Sequence, residues 1–338
     1  MKPYKTISGL FKVALSLVFG GAILYWMYRG FDFTQLGHLL RYDMDWTWML
    51  LSFPFGILAQ MFRGWRWSLS LEPLGERPRR GTSVNSIFLS YAVSLLVPRV
   101  GEFARCAILR RYDGISFPKS LGTVLTERII DSLLLMCIAM LTLVCHVRIF
   151  DTFFTRTGTN LEGILNGFST TGYMVTAACG VAVVILAWYM LRRFSIYYKV
   201  RTTIGSIWQG VCSLRRMRRK WLFVFFTLAI WVSYFLHYYL TFFCFDSTSA
   251  LGPSCALVTF IVGSIAVVVP TPNGAGPWHF AVKTMLILYG VGETDALYFV
   301  LIVHTVQTLL VALLGIIAWL SLSFTSVRVG NQSIESNH

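Results

Sequence analysis

Long apolar stretches alternate with shorter polar segments along most of the chain. Several of these stretches approach or exceed the roughly 20 residues that a helix needs to cross a bilayer. They cover residues 9–28, 46–62, 129–147, 173–191, 221–243 and 296–324. This pattern predicts an all-α polytopic membrane protein with about six full transmembrane helices.

Two further apolar regions, 82–128 and 251–295, are each interrupted in the middle. Proline cannot donate a backbone hydrogen bond and glycine permits a sharp turn, so both disrupt a helix. Irregular backbone at membrane depth is tolerated only where protein or a wet cavity covers it. We therefore expect two broken helix pairs, with a plain helix corner as the alternative at each break. The residues that we expect to shape the breaks are Pro98, Gly101, Pro270, Pro272, Gly274, Gly276 and Pro277.

The two interrupted regions resemble each other and lie in matching positions of the chain. In both, an apolar arm ends in Val-Pro, a glycine-containing break follows, and a second helical arm resumes. Because three predicted crossings separate them, the first region would enter from the cytoplasm and the second from outside. Oppositely oriented broken segments point to a transporter site near the midplane. The sequence thus predicts two broken re-entrant helix pairs in an inverted-repeat arrangement.

Composition and charge support a membrane protein with both termini in the cytoplasm. Only 13% of residues are charged, whereas soluble domains have about 25%. Lysine and arginine number 18 in the segments 1–12, 63–81 and 192–220 with the C-terminal tail, against 4 in the alternate loops. This distribution is the positive-inside pattern, so the net charge of +14 reflects topology and predicts no nucleic-acid partner.

We divide the chain according to these features. The predicted parts are an N-terminal two-helix hairpin (1–81), a first half with its break at 98–101 (82–191), a basic cytoplasmic loop (192–220), a second half with its break at 270–277 (221–325) and a cytoplasmic tail (326–338).

Charged residues follow the first break, inside an apolar region. Arg99, Glu102 and Arg105 are spaced i, i+3, i+6, so on a helix they would lie along roughly one side. An ionised side chain at the bilayer centre costs about 2.5–3.5 kcal/mol on insertion scales. Glu102 could therefore pair with either arginine and leave the other for an anionic headgroup.

The next helix begins with a second group of charges. Glu127 and Asp131 are one helical turn apart and share a face, with Arg128 beside them. The carboxylates could neutralise Arg99 or Arg105, or they could bind a cation or relay protons.

The second break precedes a helix that could accept an anion. Pro277 suits the first turn of a helix, and the free N–H groups of a helix start favour a phosphate or carboxylate. His279 is a polar residue of this apolar helix. The predicted substrate-binding residues are Arg99, Glu102, Arg105, Glu127, Arg128, Asp131, Asn273, Gly274, Gly276 and His279. The sequence has no recognisable metal motif, nucleotide loop or catalytic set, so we predict no metal, no cofactor and no enzyme activity.

Four motifs, in this order, resemble those of one family. They are Arg63-x-x-Arg66-Trp67, Pro98-Arg-x-Gly101-Glu102-x-x-Arg105, Glu127-Arg128-x-x-Asp131 and Pro270-Thr-Pro-x-Gly274-x-Gly276-Pro277. The chain resembles the lysylphosphatidylglycerol synthase transmembrane region family, flippase-like membrane proteins, over roughly residues 5–325.

The resemblance implies a bacterial or archaeal inner-membrane protein that moves, or helps to move, a lipid between leaflets. Full-length synthases join this region to a soluble aminoacyl-transferase domain, for which the tail here is too short, so we expect no lysyl-lipid synthase activity. Related sequences tend to have a glutamate shortly after the last motif, where this chain has His279.

Two main functional hypotheses follow, beside an integral-membrane enzyme acting at Glu127 and Asp131 or at His279, for which the sequence has no recognisable catalytic set. The first is a lipid translocase for an anionic phospholipid, an aminoacylated lipid or a polyprenyl-phosphate-linked lipid. The second is a scaffold or accessory subunit that positions a glycosyltransferase or lipid-modifying enzyme, with the loop 192–220 as its docking surface. The lipid, the direction of movement and the oligomeric state are not predicted.

Overall fold

The computed structural model describes residues 18, 20–29, 33–145, 217–269 and 271–327, in which the regular structure is helical throughout, with no strand. The α-helices are α1 (20–28), α2 (Phe33–His38), α3 (Trp46–Leu71), α4 (Arg80–Leu96), α5 (Gly101–Asp113), α6 (Phe117–Cys145), α7 (Lys220–Tyr239), α8 (Asp246–Ser249), α9 (Pro253–Ala266), α10 (Pro277–Leu288) and α11 (Glu293–Ser323). Short π or 3₁₀ turns follow α2, α3 and α7, and another lies at Pro272–Gly274. Pro270, the predicted crossing 173–191, most of the basic loop and both chain ends lie outside the described residues.

Three segments of the described chain are long and apolar enough to cross a membrane. They are Phe117–Cys145, Lys220–Cys244 and Glu293–Ser323, and they contain most of three predicted crossings. Large apolar side chains on these segments face outward, among them Leu133, Met136 and Leu313. An apolar exterior of this kind suits contact with lipid, so the protein is an all-α multi-pass membrane protein.

Helix α3 is longer than the sequence predicted. It begins where the Asp45 side chain accepts a hydrogen bond from the Thr47 amide at 2.8 Å, a typical N-cap. It then continues to Leu71, past the predicted end at residue 62. The assignment of Arg63 and Arg66 to a cytoplasmic loop was wrong, because both lie inside α3 and are 4% and 0% exposed.

The interrupted regions each fold into two helices that pack against each other, α4 with α5 and α9 with α10. At Gly101 an added Cβ atom would overlap the carbonyl oxygen of Ser90, so only glycine lets α5 lie this close to α4. At Gly263 a Cβ atom would lie 2.8 Å from Nε1 of Trp278, across the α9–α10 contact. Glycine therefore brings the α4 and α5 backbones close together at Gly101 and makes room for the Trp278 side chain at Gly263.

The two helix pairs approach each other from opposite ends of the bundle. Arg79, directly before α4, binds Asp113 at the end of α5 (2.6 Å) and the carbonyl of Ser326 after α11 (2.9 Å). The first pair therefore has its outer ends beside the end of α11. The second pair is joined to the start of α11 by residues 289–292. The outer ends of the two pairs therefore lie at opposite ends of α11. The breaks consequently meet between the two ends of the bundle, where Arg99 contacts Val268.

Candidate functional site

A cavity of about 230 Å³ lies between the two breaks. The first helix pair contributes Tyr91, Arg99, Glu102 and Arg105 to its lining, and the second break contributes Thr271, Asn273 and Gly274. Arg128 of α6 completes its polar lining. The fold thus brings together predicted residues that lie far apart in the sequence.

One non-glycine residue of each break has a left-handed backbone conformation. Arg99 has φ 65° and Asn273 has φ 51°, the two positive values among the described non-glycine residues. Arg99 Nη2 donates to the carbonyl of Val268 at 3.0 Å, which joins the two breaks directly. Asn273 Nδ2 donates to Oγ1 of Thr308 on α11 at 2.6 Å. These contacts hold both residues in a left-handed conformation that costs about 1–2 kcal/mol.

The structure corrects the predicted spacing of the first charged group. Arg99 lies in the turn before α5, which begins at Gly101, so it does not share a helix side with Glu102 and Arg105. Glu102 pairs with neither arginine but with Arg128, whose Nε lies 2.8 Å from its Oε1. These partners are 38% and 36% exposed in their side chains, so they form a neutral pair on the accessible side of the cavity.

Arg105 is the most deeply buried cation of the cavity lining, with 1% of its surface exposed. Its Nη1 donates to Oε2 of Glu127 at 3.2 Å, and its guanidinium lies 4.7 Å from the ring centre of Trp67. Its Nε and Nη2 atoms have no hydrogen-bond partner in the part of the chain that the structure describes. Buried unpartnered donors are costly, and a guanidinium suits a phosphate or carboxylate.

A buried ion-pair network lies behind the cavity. Asp131 accepts hydrogen bonds from Nη1 and Nη2 of Arg66 at 2.6 and 3.0 Å, and its Oδ2 lies 3.2 Å from Nη1 of Arg63. Glu127 lies between Arg66 Nε at 3.4 Å and Arg105. Of the two predicted alternatives, Glu127 therefore neutralises Arg105, whereas Asp131 binds neither Arg99 nor Arg105.

Arg63 and Arg66 belong to this network, although neither is among the predicted site residues. One signal in the sequence could have identified them. They are spaced i, i+3 on one helix, and Glu127 and Asp131 are spaced i, i+4 on another, so the two pairs can face each other one turn apart. Together with Arg105, the network contains three buried arginines and two buried carboxylates. The surplus is one positive charge.

Gly276 and His279 do not line the cavity. The Gly276 amide donates to Nδ1 of His279 at 3.4 Å, so the start of α10 is partly satisfied within the chain. A Cβ atom on Gly276 would lie 3.0 Å from the carbonyl oxygen of Gly20, because α1 covers this helix start. His279 packs against His304 with ring centres 4.4 Å apart. The structure therefore places the predicted anion site of α10 beneath α1.

A cation site has no support in the described residues, where no three His, Cys, Asp or Glu side chains are grouped as a metal would require. The geometry instead combines one surplus positive charge, unpartnered guanidinium donors and a cavity between two helix breaks.

No curated protein matches the chain. The family described as the lysylphosphatidylglycerol synthase TM region matches residues 13–315 of the 338. This match includes both helix pairs, the cavity and the ion-pair network. The chain therefore belongs to the lysylphosphatidylglycerol synthase transmembrane region family.

Proposed function

We propose that the protein is a lipid translocase that moves an anionic or modified lipid headgroup between the leaflets of a bacterial or archaeal cytoplasmic membrane. The observation that carries this proposal is the buried guanidinium of Arg105, which lines the cavity with its Nε and Nη2 unpartnered among the described residues. A headgroup phosphate would accept hydrogen bonds from both atoms. The family relationship, which concerns lipid chemistry at a membrane, favours the same class of ligand.

In this proposal the two helix pairs are re-entrant and related as inverted repeats, with about six full crossings around them. The cavity then lies near the bilayer midplane, where transporters of this architecture bind their substrates. The headgroup would occupy the cavity while its acyl chains stay in the lipid.

The start of α5 supports phosphate binding at the same place. Gly101 and Glu102 form its first turn and line the cavity. The first N–H groups of a helix have no partner within the helix, and the dipole there favours negative charge. Arg105 lies one turn further along α5, so amides and guanidinium can hold one anion together.

The proposal is tested by lipid exchange between leaflets of reconstituted liposomes. Fluorescent phosphatidylglycerol in phosphatidylcholine vesicles is quenched from outside, and quenching beyond the outer half measures exchange. We expect Arg105→Gln to lower the exchange rate about tenfold or more, because a hydrogen bond to a charged group contributes about 1.5–3 kcal/mol.

The matched control is Arg110→Gln, which removes an exposed arginine from the same helix and should leave the exchange rate unchanged. Equal quenching in wild-type and protein-free vesicles, also with a polyprenyl phosphate, would contradict translocation. The scaffold hypothesis would then take its place, with a lipid-modifying or glycosyltransferase partner to be identified.

A further inference from the structure

Arg63 lies behind the cavity, in a place that the proposed binding at Arg105 does not use. Its guanidinium carbon is 5.8 Å from the ring centre of Tyr91 and 5.7 Å from that of Tyr234. The Tyr234 hydroxyl donates to that of Tyr91 at 3.3 Å. Tyr91 lines the cavity, and Arg63 on the other side of the tyrosine pair is only 4% exposed. The two tyrosines therefore lie between the cavity and Arg63.

The donors of Arg63 are incompletely used. Within the described chain its Nε and Nη1 have no hydrogen-bond partner. Nη1 forms an ion pair with Oδ2 of Asp131 at 3.2 Å without a hydrogen bond, and the same carboxylate accepts two hydrogen bonds from Arg66. One turn earlier on α3, the buried Oε1 of Gln60 is also unpartnered. Unsatisfied buried groups of this kind are rare and require an explanation.

We propose that Arg63 forms a second anion subsite, which a headgroup phosphate reaches from Arg105 when the Tyr91 side chain moves aside. This inference rests on the proposed translocation. The network has one surplus positive charge, so it compensates one monoanion at a time. An anion at Arg63 therefore replaces the anion at Arg105, and two successive sites let a ligand enter without being held too tightly to leave.

The ordinary alternative is that Arg63 only balances the charge of Asp131. Two variants separate these roles. Arg63→Gln removes the surplus positive charge, and the double variant Arg63→Gln/Asp131→Asn restores it without restoring the guanidinium. A subsite role predicts that both variants exchange lipid at least tenfold more slowly than the wild type. Recovery of the wild-type rate in the double variant would overturn the proposal.

A variant of the tyrosine pair tests the boundary without touching the ion pairs. Tyr234→Phe removes the hydroxyl that donates to Tyr91 and keeps the aromatic ring against Arg63. If movement of Tyr91 admits the phosphate, loss of the hydrogen bond that holds Tyr91 should raise the lipid exchange rate up to about fivefold. This factor corresponds to the free energy of one ordinary hydrogen bond. A rate that is unchanged or lower would contradict the role of Tyr91.

Binding measurements separate failure of this inference from failure of the proposed function. Dioctanoyl phosphatidylglycerol is titrated into the detergent-purified protein, and we expect Arg105→Gln to weaken its binding while the double variant Arg63→Gln/Asp131→Asn, which keeps the surplus positive charge, retains it. If Arg105→Gln exchanges lipid normally, the proposed site itself is wrong. If Arg105→Gln loses exchange and Arg63→Gln keeps it, only the second subsite is wrong.

A parallel titration with inorganic phosphate distinguishes the two sources of the anion. We expect phosphate to leave lipid exchange unchanged, because the subsite receives its anion on a lipid. Phosphate that binds the wild type but not Arg63→Gln, while lipid exchange in that variant stays normal, would assign the subsite to a free anion and overturn the lipid path.

Discussion

At the scale of single residues, the site depends on arginines that are held inside an apolar bundle. A buried ion is tolerated only where a partner of opposite charge and hydrogen bonds offset its loss of hydration. Glu127 is the negatively charged partner of two arginines. Its Oε1 lies 3.4 Å from Nε of Arg66, and its Oε2 lies 3.2 Å from Nη1 of Arg105. The pair of Glu102 and Arg128 differs, because both side chains are more than a third exposed.

This difference predicts unequal effects of two chemically identical substitutions. Glu127→Gln removes the charge partner of two buried arginines and should cost about 3–5 kcal/mol of stability. Glu102→Gln breaks a partly exposed pair and should cost about 0–1 kcal/mol. Thermal unfolding of both variants in the same detergent measures the difference. Equal melting temperatures would show that the interior network contributes no more than the exposed pair.

At the scale of helices, Gly101 determines how closely α5 packs against α4. Gly101 lies against the carbonyl of Ser90, with no room for a methyl group. The start of α5 and the lining residues Glu102 and Arg105 are placed by this contact. The position of the cavity wall therefore depends on one residue without a side chain.

We expect Gly101→Ala to push α5 away from α4 and to cost about 1–3 kcal/mol, as overpacking of a close contact does. The matched control is Gly81→Ala at the start of α4, where an added Cβ atom meets nothing within 4 Å. Replacement of an exposed helical glycine by alanine should be neutral or stabilise by up to about 1 kcal/mol. Melting temperatures in detergent test the pair. A Gly101→Ala protein as stable as Gly81→Ala would mean that α5 can shift without strain.

The helices also show which features could be predicted from the sequence and which could not. A helix break depends on the residues at the break itself. The prolines and glycines of the sequence were therefore enough to predict the positions of both helix pairs. The end of α3 is not local, because Arg63 and Arg66 lower the apolar character of its last turns. Their carboxylate partners belong to α6, and the ion pair of Arg66 with Asp131 joins residues 65 positions apart. A hydropathy pattern along one segment contains no information about that distant partner, so the predicted crossing ended too early. The contact of Gly276 with α1 could not be predicted either, because it also joins residues that are far apart in the sequence.

At the scale of the whole molecule, one end of the described chain has more basic residues than the other, where Arg41 and Lys283 lie. Arg77, Arg79 and Arg80 lie between α3 and α4 or begin α4, and Arg110 and Arg111 end α5. The opposite end includes the loop that joins α8 to α9, in which no lysine or arginine occurs. This asymmetry agrees with the positive-inside prediction that the basic end faces the cytoplasm.

The orientation is tested by epitope tags in two exposed turns. A tag after Gly252 should be reached by antibody in intact cells, once any outer envelope has been made permeable. A tag after Gly75, next to the basic residues, should be reached only when the cytoplasmic membrane is opened. The reverse result would invert the topology and place the first helix pair on the outer side.

The ion pairs of α3 also have a consequence for how the protein is made. Arg63 and Arg66 leave the ribosome before α6, so during that interval they have no carboxylate from α6 to bind. An uncompensated arginine costs about 2.5–3.5 kcal/mol at the centre of a membrane helix and less near its end, where Arg63 and Arg66 lie. We therefore expect α3 to insert less readily alone than together with α6, because Glu127 and Asp131 compensate its two arginines. The order of synthesis therefore predicts that α3 to α6, residues 46–131, reach their final positions in the membrane together, although they form several separate helices.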